Sequence, residues 1–317
     1  MSEQTAASVD RSVIALDVGG TQIKGGVFTG NGTVQHSEQW LTRAERGPNA
    51  VIDTILRCAD ELAGLATRSG RPAEAVGIVV PGIVDETAGI AVHSTNLAWH
   101  KVPMRHTLAK HLDLPVAFGH DVRAGGLAEA RLGAGRGCHS FLFVPLGTGI
   151  AAAVMTDGQA LPGAHGSAGE LGHLVVRPGG DPCTCGSHGC LETLASASAI
   201  ARRYTHATGE PHVTAQEVDR RAQAGDPEAT RIWGEAIEAL ADGLATTVTL
   251  LDPERIILGG GLAKAGETLF APLRTALTQR LTFQHAPQLL PAELGHQAGC
   301  LGSALLAQDL LGNHSRP

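Results

Sequence analysis

Three apolar runs in this chain each stop at a glycine-rich turn. The first closes on Asp17-x-Gly19-Gly20-Thr21, the second on Gly147-Thr148-Gly149 and the third on Gly259-Gly260-Gly261. Glycine lets a strand end bring its N–H groups close to phosphate oxygens, and the threonines add a hydroxyl donor. Any one such turn is only what a tight hairpin needs. Three of them, each at a strand end, argue for a phosphate site built from backbone. The first two are followed by another strand, so two halves each open with a hairpin around a glycine turn. That repeat predicts a duplicated α/β architecture with a cleft between two domains.

The rest of the pattern fills in this frame. Strands are expected over 13–18, 25–29 and 33–37, with Asn31-Gly32 as the hairpin signal between the last two. A helix over 48–68 follows from the spacing of Val51, Ile55, Ala59, Leu62 and Ala66, with Pro48 near its start. Short strands at 76–80, ending at Pro81-Gly82, and at 116–118, just before His120-Asp121, give an order β-β-β-α-β-α-β. Past Phe141 come a strand, a glycine turn and a strand. A helix at about 226–250 then carries Ile232, Ala236, Leu240, Leu244 and Val248 on one face. A strand at 256–258 and a closing helix at about 302–311 complete the chain. The expected division is a small N-terminal domain, 12–120, on which the closing helix (about 302–312) packs, and a large domain, 121–301.

Composition excludes several classes. A net charge of −7 argues against a nucleic-acid partner, whose affinity rests on basic surface. It leaves room for an anionic nucleotide held by backbone and a metal ion. The chain has four lysines, Lys24, Lys101, Lys110 and Lys264, and no G-x-x-x-x-G-K-[ST], so it is not a P-loop protein. The polar opening MSEQTAASVDRS carries no secretory signal, and no apolar stretch is long enough for a bilayer. A cytoplasmic protein without a membrane partner is expected, whose six cysteines are not a disulfide framework.

Four residues stand out in one short stretch: His173, Cys183, Cys185 and Cys190, flanked by Glu170 and Glu192. Three thiolates and an imidazole are the ligand set of a closed, tetrahedral, structural zinc site. His188 is a competing ligand inside the loop. Packing of the cysteines as small hydrophobes is the plainer alternative, but Pro182, Gly186 and Gly189 mark a loop. Cys58, Cys138 and Cys300 stand alone and read as core residues.

With these motifs in view, the chain resembles the ROK family, named for its repressors, open reading frames and kinases. The resemblance runs from Ile14 to about Leu311. It rests on ALDVGGTQIKGGVF (15–28), VPGIVDETAGIAVHSTNLAW (80–99), PLGTGIAAAV (145–154), AGELGH (168–173), CTCGSHGCLE (183–192) and ILGGGLA (257–263). It implies the actin-like, RNase H-related α/β fold, with two domains closing over ATP and a sugar. By the resemblance, Gly19, Gly20, Thr21 and Lys24, with the turns at 147–149 and 259–261, face the nucleotide, and Asp17 faces Mg²⁺. Family spacing favours His173 as the fourth zinc ligand. Sugar contacts are implied for Pro81, Gly82, Asn96, Glu170, His173 and Glu192. Asp121 is implied as the base that takes the proton of the sugar's 6-hydroxyl, although a helix N-cap would use the same residue. A homodimer or homotetramer is implied as well.

The chain departs from its relatives around the base. Where the family has Glu-Asn-Asp-Ala-Asn-Ala, it reads Gly119-His120-Asp121-Val122-Arg123-Ala124. His120 stands where an asparagine would offer both a donor and an acceptor to a sugar hydroxyl, so the hydroxyl pattern read there differs. Arg123 reads as a solvated surface residue. The expected activity is ATP:hexose 6-phosphotransfer with glucose as first candidate, and N-acetylglucosamine or N-acetylmannosamine as alternatives. The alternative of another class is a sugar-responsive repressor. Sixteen residues before Asp17 are too few for its DNA-binding module.

Overall fold

The central strands carry apolar residues on both faces, as strands covered on both sides must. In β1 (Ser12–Val18), β2 (Gln22–Thr29) and β3 (Val34–Leu41) the chain meanders, then enters helix α1 (Pro48–Arg68). It continues through β4 (Ala73–Val80), a small meander of β5 (Ile83–Asp85), β6 (Ile90–Ser94) and β7 (Trp99–Val102), helix α2 (Met104–Leu112), β8 (Val116–His120) and α3 (Asp121–Leu132). The computed structural model describes residues 12–29 and 32–314. Asn31 of the hairpin signal and most of the polar N-terminal opening lie outside the described residues.

The second half repeats the plan: β9 (Ser140–Pro145), β10 (Ala153–Thr156) and β11 (Gln159–Ala160), then helices α4 (Leu191–Ala195), α5 (Ala197–Thr208), α6 (Ala215–Gln223) and α7 (Pro227–Leu251). Strand β12 (Arg255–Gly259), α8 (Glu267–Arg280), β13 (Gln288–Pro291) and α9 (Ala298–His314) follow. One sheet is ordered β3-β2-β1-β4-β8 and the other β11-β10-β9-β12-β13, the same topology twice. In each, the first two pairings are antiparallel hairpins and the last two are parallel.

Contacts divide the chain into two compact units. The first comprises residues up to Ala128, the segment Pro162–Ser167 and the chain from Gln297 onward; the second comprises Glu129–Leu161 and Ala168–His296. The dividing point thus falls inside α3, whereas the sequence placed it between residues 120 and 121.

In the first unit, α1 starts at Pro48, preset for a helix N-terminus, and lays Val51, Ile55, Ala59, Leu62 and Ala66 on the sheet. In the second, Asp226 caps α7 by accepting from Glu228 N and Ala229 N, and Ile232, Ala236, Leu240, Leu244 and Val248 are buried. Cys58, Cys138 and Cys300 are buried, as expected of core thiols.

Three differences from the sequence reading have physical causes. The meander β5-β6-β7 was missed because strands of three to five residues leave no measurable alternation. β2 and β3 run beyond their apolar cores, to Gln22 and Leu41, because ladder bonds extend through exposed polar residues. α9 begins at Ala298 rather than 302 because glycines at 299 and 302 hide its start. No helix among the described residues is long and apolar enough to cross a membrane.

Helix α9 lies on the first sheet at backbone contact. A Cβ added to Gly77 of β4 would sit 1.9 Å from the carbonyl oxygen of Ser303. Ser303 Oγ in turn donates to Leu16 O at 3.1 Å. Gly77→Ala should therefore destabilise the chain by at least about 2 kcal/mol through overpacking. Equilibrium urea unfolding reads this directly; an unchanged midpoint would mean that α9 is not seated on β4.

Candidate functional site

In the first unit the turn after β1 is braced before any ligand arrives. Gly19 N donates to Gln22 O at 2.8 Å, and Thr42 Oγ1 donates to Gly19 O at 2.6 Å. Gly20 lies against Asn96: an added Cβ would come within 3.1 Å of the Asn96 Cβ. Thr21 is exposed. Pro81 follows β4, and Gly82 takes φ 100°, where an added Cβ would meet His93 O at 2.3 Å. The glycine turn and the Asn96 loop are thus packed together, while Pro81-Gly82 packs on the end of β6.

Asp17 sits at the floor of this region. Lys24 Nζ is 3.6 Å from its Oδ2, and the Asp17 side chain is only 13% exposed. Burial pushes its pKa up to about 6, opposed by Lys24 and reinforced by the negative charge of Asp121. Gly299, in the first turn of α9, would place a Cβ 2.5 Å from Asp17 Oδ2. The sequence reading missed Gly299; no local motif marks it, since its role is to let a helix start pass beside a carboxylate.

Asp121 opens α3, and its Oδ1 accepts from Val122 N at 2.7 Å, so it serves its own helix start as well. Burial raises it to about 6, with the Val122 N–H, Arg123 and Lys24 pulling the other way. His120 is buried at the end of β8, its Nδ1 3.5 Å from Asp121 Oδ1. Arg123 corrects the sequence reading. It is not a solvated surface residue: only 5% of its side chain is exposed, and it is ion-paired with Glu86. The partner lies in the missed meander, so no local pattern marks this guanidinium as turning inward.

The second unit holds the other two glycine turns side by side. Leu146 N donates to Gly259 O at 2.9 Å, and Leu262 N donates to Leu146 O at 3.1 Å. Gly260, at φ 79°, would put a Cβ 2.4 Å from Leu146 O, so no side chain fits. Gly261, Gly147 and Thr148 carry the rest of this surface. Ser198 Oγ donates to Thr148 O at 2.5 Å, a brace the sequence did not reveal.

Glu192 joins the turn at 147–149 to the cysteine loop. Its Oε2 accepts from Ile150 N at 2.8 Å and lies 2.5 Å from where a Gly149 Cβ would be. A cavity of about 240 Å³ beside it is lined by Thr184, Ser196, Ser198 and Arg202. Glu170 stands at the N-cap position of the short 3-10 turn Leu171–His173 without a side-chain capping bond, and its Oε2 lies 3.8 Å from His173 Nε2.

His173, Cys183, Cys185 and Cys190 converge, with their donor atoms all within 4.8 Å of one another. His173 Nδ1 is 3.5 Å from Cys183 Sγ, and Cys185 Sγ is 3.6 Å from Cys190 Sγ. Two bonds of about 2.3 Å at a tetrahedral angle span roughly 3.8 Å, so these separations suit one zinc ion. Burial, then the neighbouring thiols, pushes Cys190 up to about 12, and a thiolate there calls for a cation. His188 is exposed and is not a member of the cluster.

A family model matches residues 13–310 from end to end of this architecture. The chain belongs to the ROK family. Its ROK relatives include a glucokinase of Thermotoga maritima, 35% identical over 95% of this chain and 98% of that protein. Among solved structures it is similar to the ROK hexokinase of Thermus thermophilus, at 37% identity and TM-score 0.82, covering 95% of this chain and 99% of the other. It is also similar to a ROK glucokinase of Streptomyces griseus in complex with glucose and AMPPNP, at 30% identity and TM-score 0.82, covering 94% and 99%. The actin-like α/β fold implied by the sequence resemblance holds.

The geometry at Asp17 has a consequence for stability. The folded chain holds this proton to about pH 6, against 3.8 for the free side chain. The folded state therefore binds more protons than the unfolded one in that window, and stability falls as pH rises through it. In magnesium-free buffer at pH 8, Asp17→Asn should be more stable than the parent by about 1–2 kcal/mol, with the gap closing toward pH 4. Denaturant unfolding at both pH values checks this, and equal midpoints throughout would contradict the burial cost.

Proposed function

We propose that the chain is an ATP-dependent hexose kinase acting on the 6-hydroxyl of an aldohexose, with glucose as the first substrate. The observation that carries this reading is the pair Asp17 and Asp121, two largely desolvated carboxylates of one unit near Lys24, with the charge of Asp121 also raising the proton affinity of Asp17. Two carboxylates that both hold their protons above the usual range fit two tasks, one holding a cation and one accepting a proton. The glucokinase and hexokinase relatives support the substrate class.

In this reading Asp121, ionised, takes the proton of the sugar hydroxyl as its oxygen bonds to the γ-phosphorus and the bond to ADP breaks. Asp17 would hold magnesium, which would supply charge neutralisation at the phosphates. The N–H groups of Gly19, Gly20 and Thr21, with Lys24, orient phosphates. Gly147, Thr148, Gly149, Gly259, Gly260 and Gly261 take the remaining phosphate and the adenosine. Pro81, Gly82, Asn96, His120, Glu170, His173 and Glu192 orient the sugar. With Nδ1 directed at the cysteine cluster, His173 Nε2 is left 3.8 Å from Glu170 Oε2, which supports the two acting together on a hydroxyl.

Zinc in the four-residue cluster is structural in this reading, because three thiols and one imidazole leave no open position. Its thiolates require a reducing compartment, which supports the cytoplasm. A homodimer or homotetramer completes the reading. It is supported by Leu250 and Phe283, which are 75% and 82% exposed.

An ADP-release assay over glucose, mannose, N-acetylglucosamine, N-acetylmannosamine and fructose tests the function, with turnover on glucose expected. Silence on all five would reject the kinase. For the base, kcat/KM should fall as pH drops through about 6, where Asp121 takes up its proton. Asp121→Asn should lose about 10²–10⁴-fold in kcat and flatten that limb, with sugar affinity nearly intact. A variant with full turnover removes Asp121 from the mechanism.

The zinc reading has its own check. Structural zinc is worth on the order of 10–16 kcal/mol in small peptides, enough to hold a glycine-rich loop. Cys185→Ser should lower the zinc found by elemental analysis and weaken sugar binding. Unchanged metal content would refute the cluster.

A further inference from the structure

The segment between β5 and β6 carries a carboxylate that no motif singled out. Glu86 Oε1 accepts from the backbone N–H of His120 at 3.2 Å and from Arg123 Nε at 3.0 Å. Arg123 Nη2 lies 3.0 Å from the same oxygen. A single oxygen therefore grips the residue just before Asp121 and the side chain two residues after it. The junction of β8 and α3, which decides where the Asp121 carboxylate points, is held from both sides.

Both ends of this clamp are themselves fixed. Arg105 of α2 donates to the Glu86 carbonyl and, at 2.9 Å, to Thr87 O, while Asp85 Oδ1 accepts from Ala88 N at 2.8 Å. Arg123 Nη1 donates to Gly166 O at 3.1 Å, and the Arg123 backbone N–H lies 3.4 Å from His120 Nδ1. All of these residues belong to the first unit.

Physical cost argues that the pair has a purpose beyond filling space. A guanidinium this deeply buried is sustained only by its partners, and an apolar pair of similar volume would serve stability as well or better. What an apolar pair lacks is direction. Two hydrogen bonds converging on one carboxylate oxygen, from His120 N and from the charged Arg123 Nε, constrain both distance and direction at the junction.

We propose that Glu86, through Arg123 and the His120 N–H, is a positioning residue for Asp121 in phosphoryl transfer. The inference rests on the kinase reading with Asp121 as base. Misplacing a catalytic group by about 1 Å can cost on the order of 10²-fold in rate, so the effect belongs in kcat. Neither Glu86 nor Arg123 touches the sugar in this account, so KM for sugar and for ATP should move little.

The test compares the parent, Asp121→Asn, Glu86→Gln and the double variant Glu86→Leu/Arg123→Met in steady-state assays, with unfolding curves for each. Glu86→Gln should lower kcat by about 10–100-fold while both KM values stay within about threefold. It should also unfold more easily, because it leaves Arg123 buried without its counter-charge. The double variant removes that charge and should regain stability, yet its kcat should stay at least about tenfold below the parent. A double variant with parental kcat makes the pair merely structural and overturns the proposal alone. So does a double variant that no longer folds, since a positioning device is dispensable for folding. An inactive parent, or an active Asp121→Asn, overturns the kinase reading and this inference with it.

Discussion

Two partly desolvated carboxylates at the ends of strands set the terms for the first unit. Asp17 closes β1 and Asp121 follows β8, and desolvation is the largest influence on each. Lys24, the charge nearest Asp17, only partly offsets the cost. A chain under selection for stability alone would place neutral side chains there. Keeping both carboxylates demands that the surrounding backbone be rigid, and the structure supplies that rigidity: Thr42 and Gln22 brace the glycine turn, and Val122 N meets Asp121.

The second unit reaches rigidity by a different route. Its two glycine turns are bonded to each other through Leu146, and Glu192 fastens one of them to the cysteine loop. That loop has little apolar core of its own, and residues 184–188 are exposed. Four donor atoms, those of His173, Cys183, Cys185 and Cys190, are gathered within 4.8 Å of one another in place of a core. The glycine turn at 147–149 and the cysteine loop are therefore tied together by hydrogen bonds rather than by packing.

Much of the fold was legible because its signals are local. Pro48 and the stripe from Val51 to Ala66 delimit α1, and the Asp226-Pro227 start delimits α7, since capping and periodicity act within a few residues. The glycine turns and the cysteine cluster were readable for the same reason: the chemistry is carried by neighbours in sequence. The meander β5-β6-β7 was not readable, because three strands of three to five residues depend on one another for their hydrogen bonds. Arg123 was misjudged as a consequence. A lone arginine is ordinarily solvated, and only a carboxylate delivered by that meander turns it inward.

Residue type at short spacing already carried the family, the duplicated strand-turn-strand plan and the His173, Cys183, Cys185 and Cys190 cluster, because each is written in neighbouring residues. Which residues press on one another emerged from the fold alone: Gly299 beside Asp17, Asn96 on Gly20, Glu192 on Gly149, and Glu86 on the His120 N–H and Arg123. Such pairings join residues far apart along the chain, and the close approach of backbones that permits them leaves no periodicity to read.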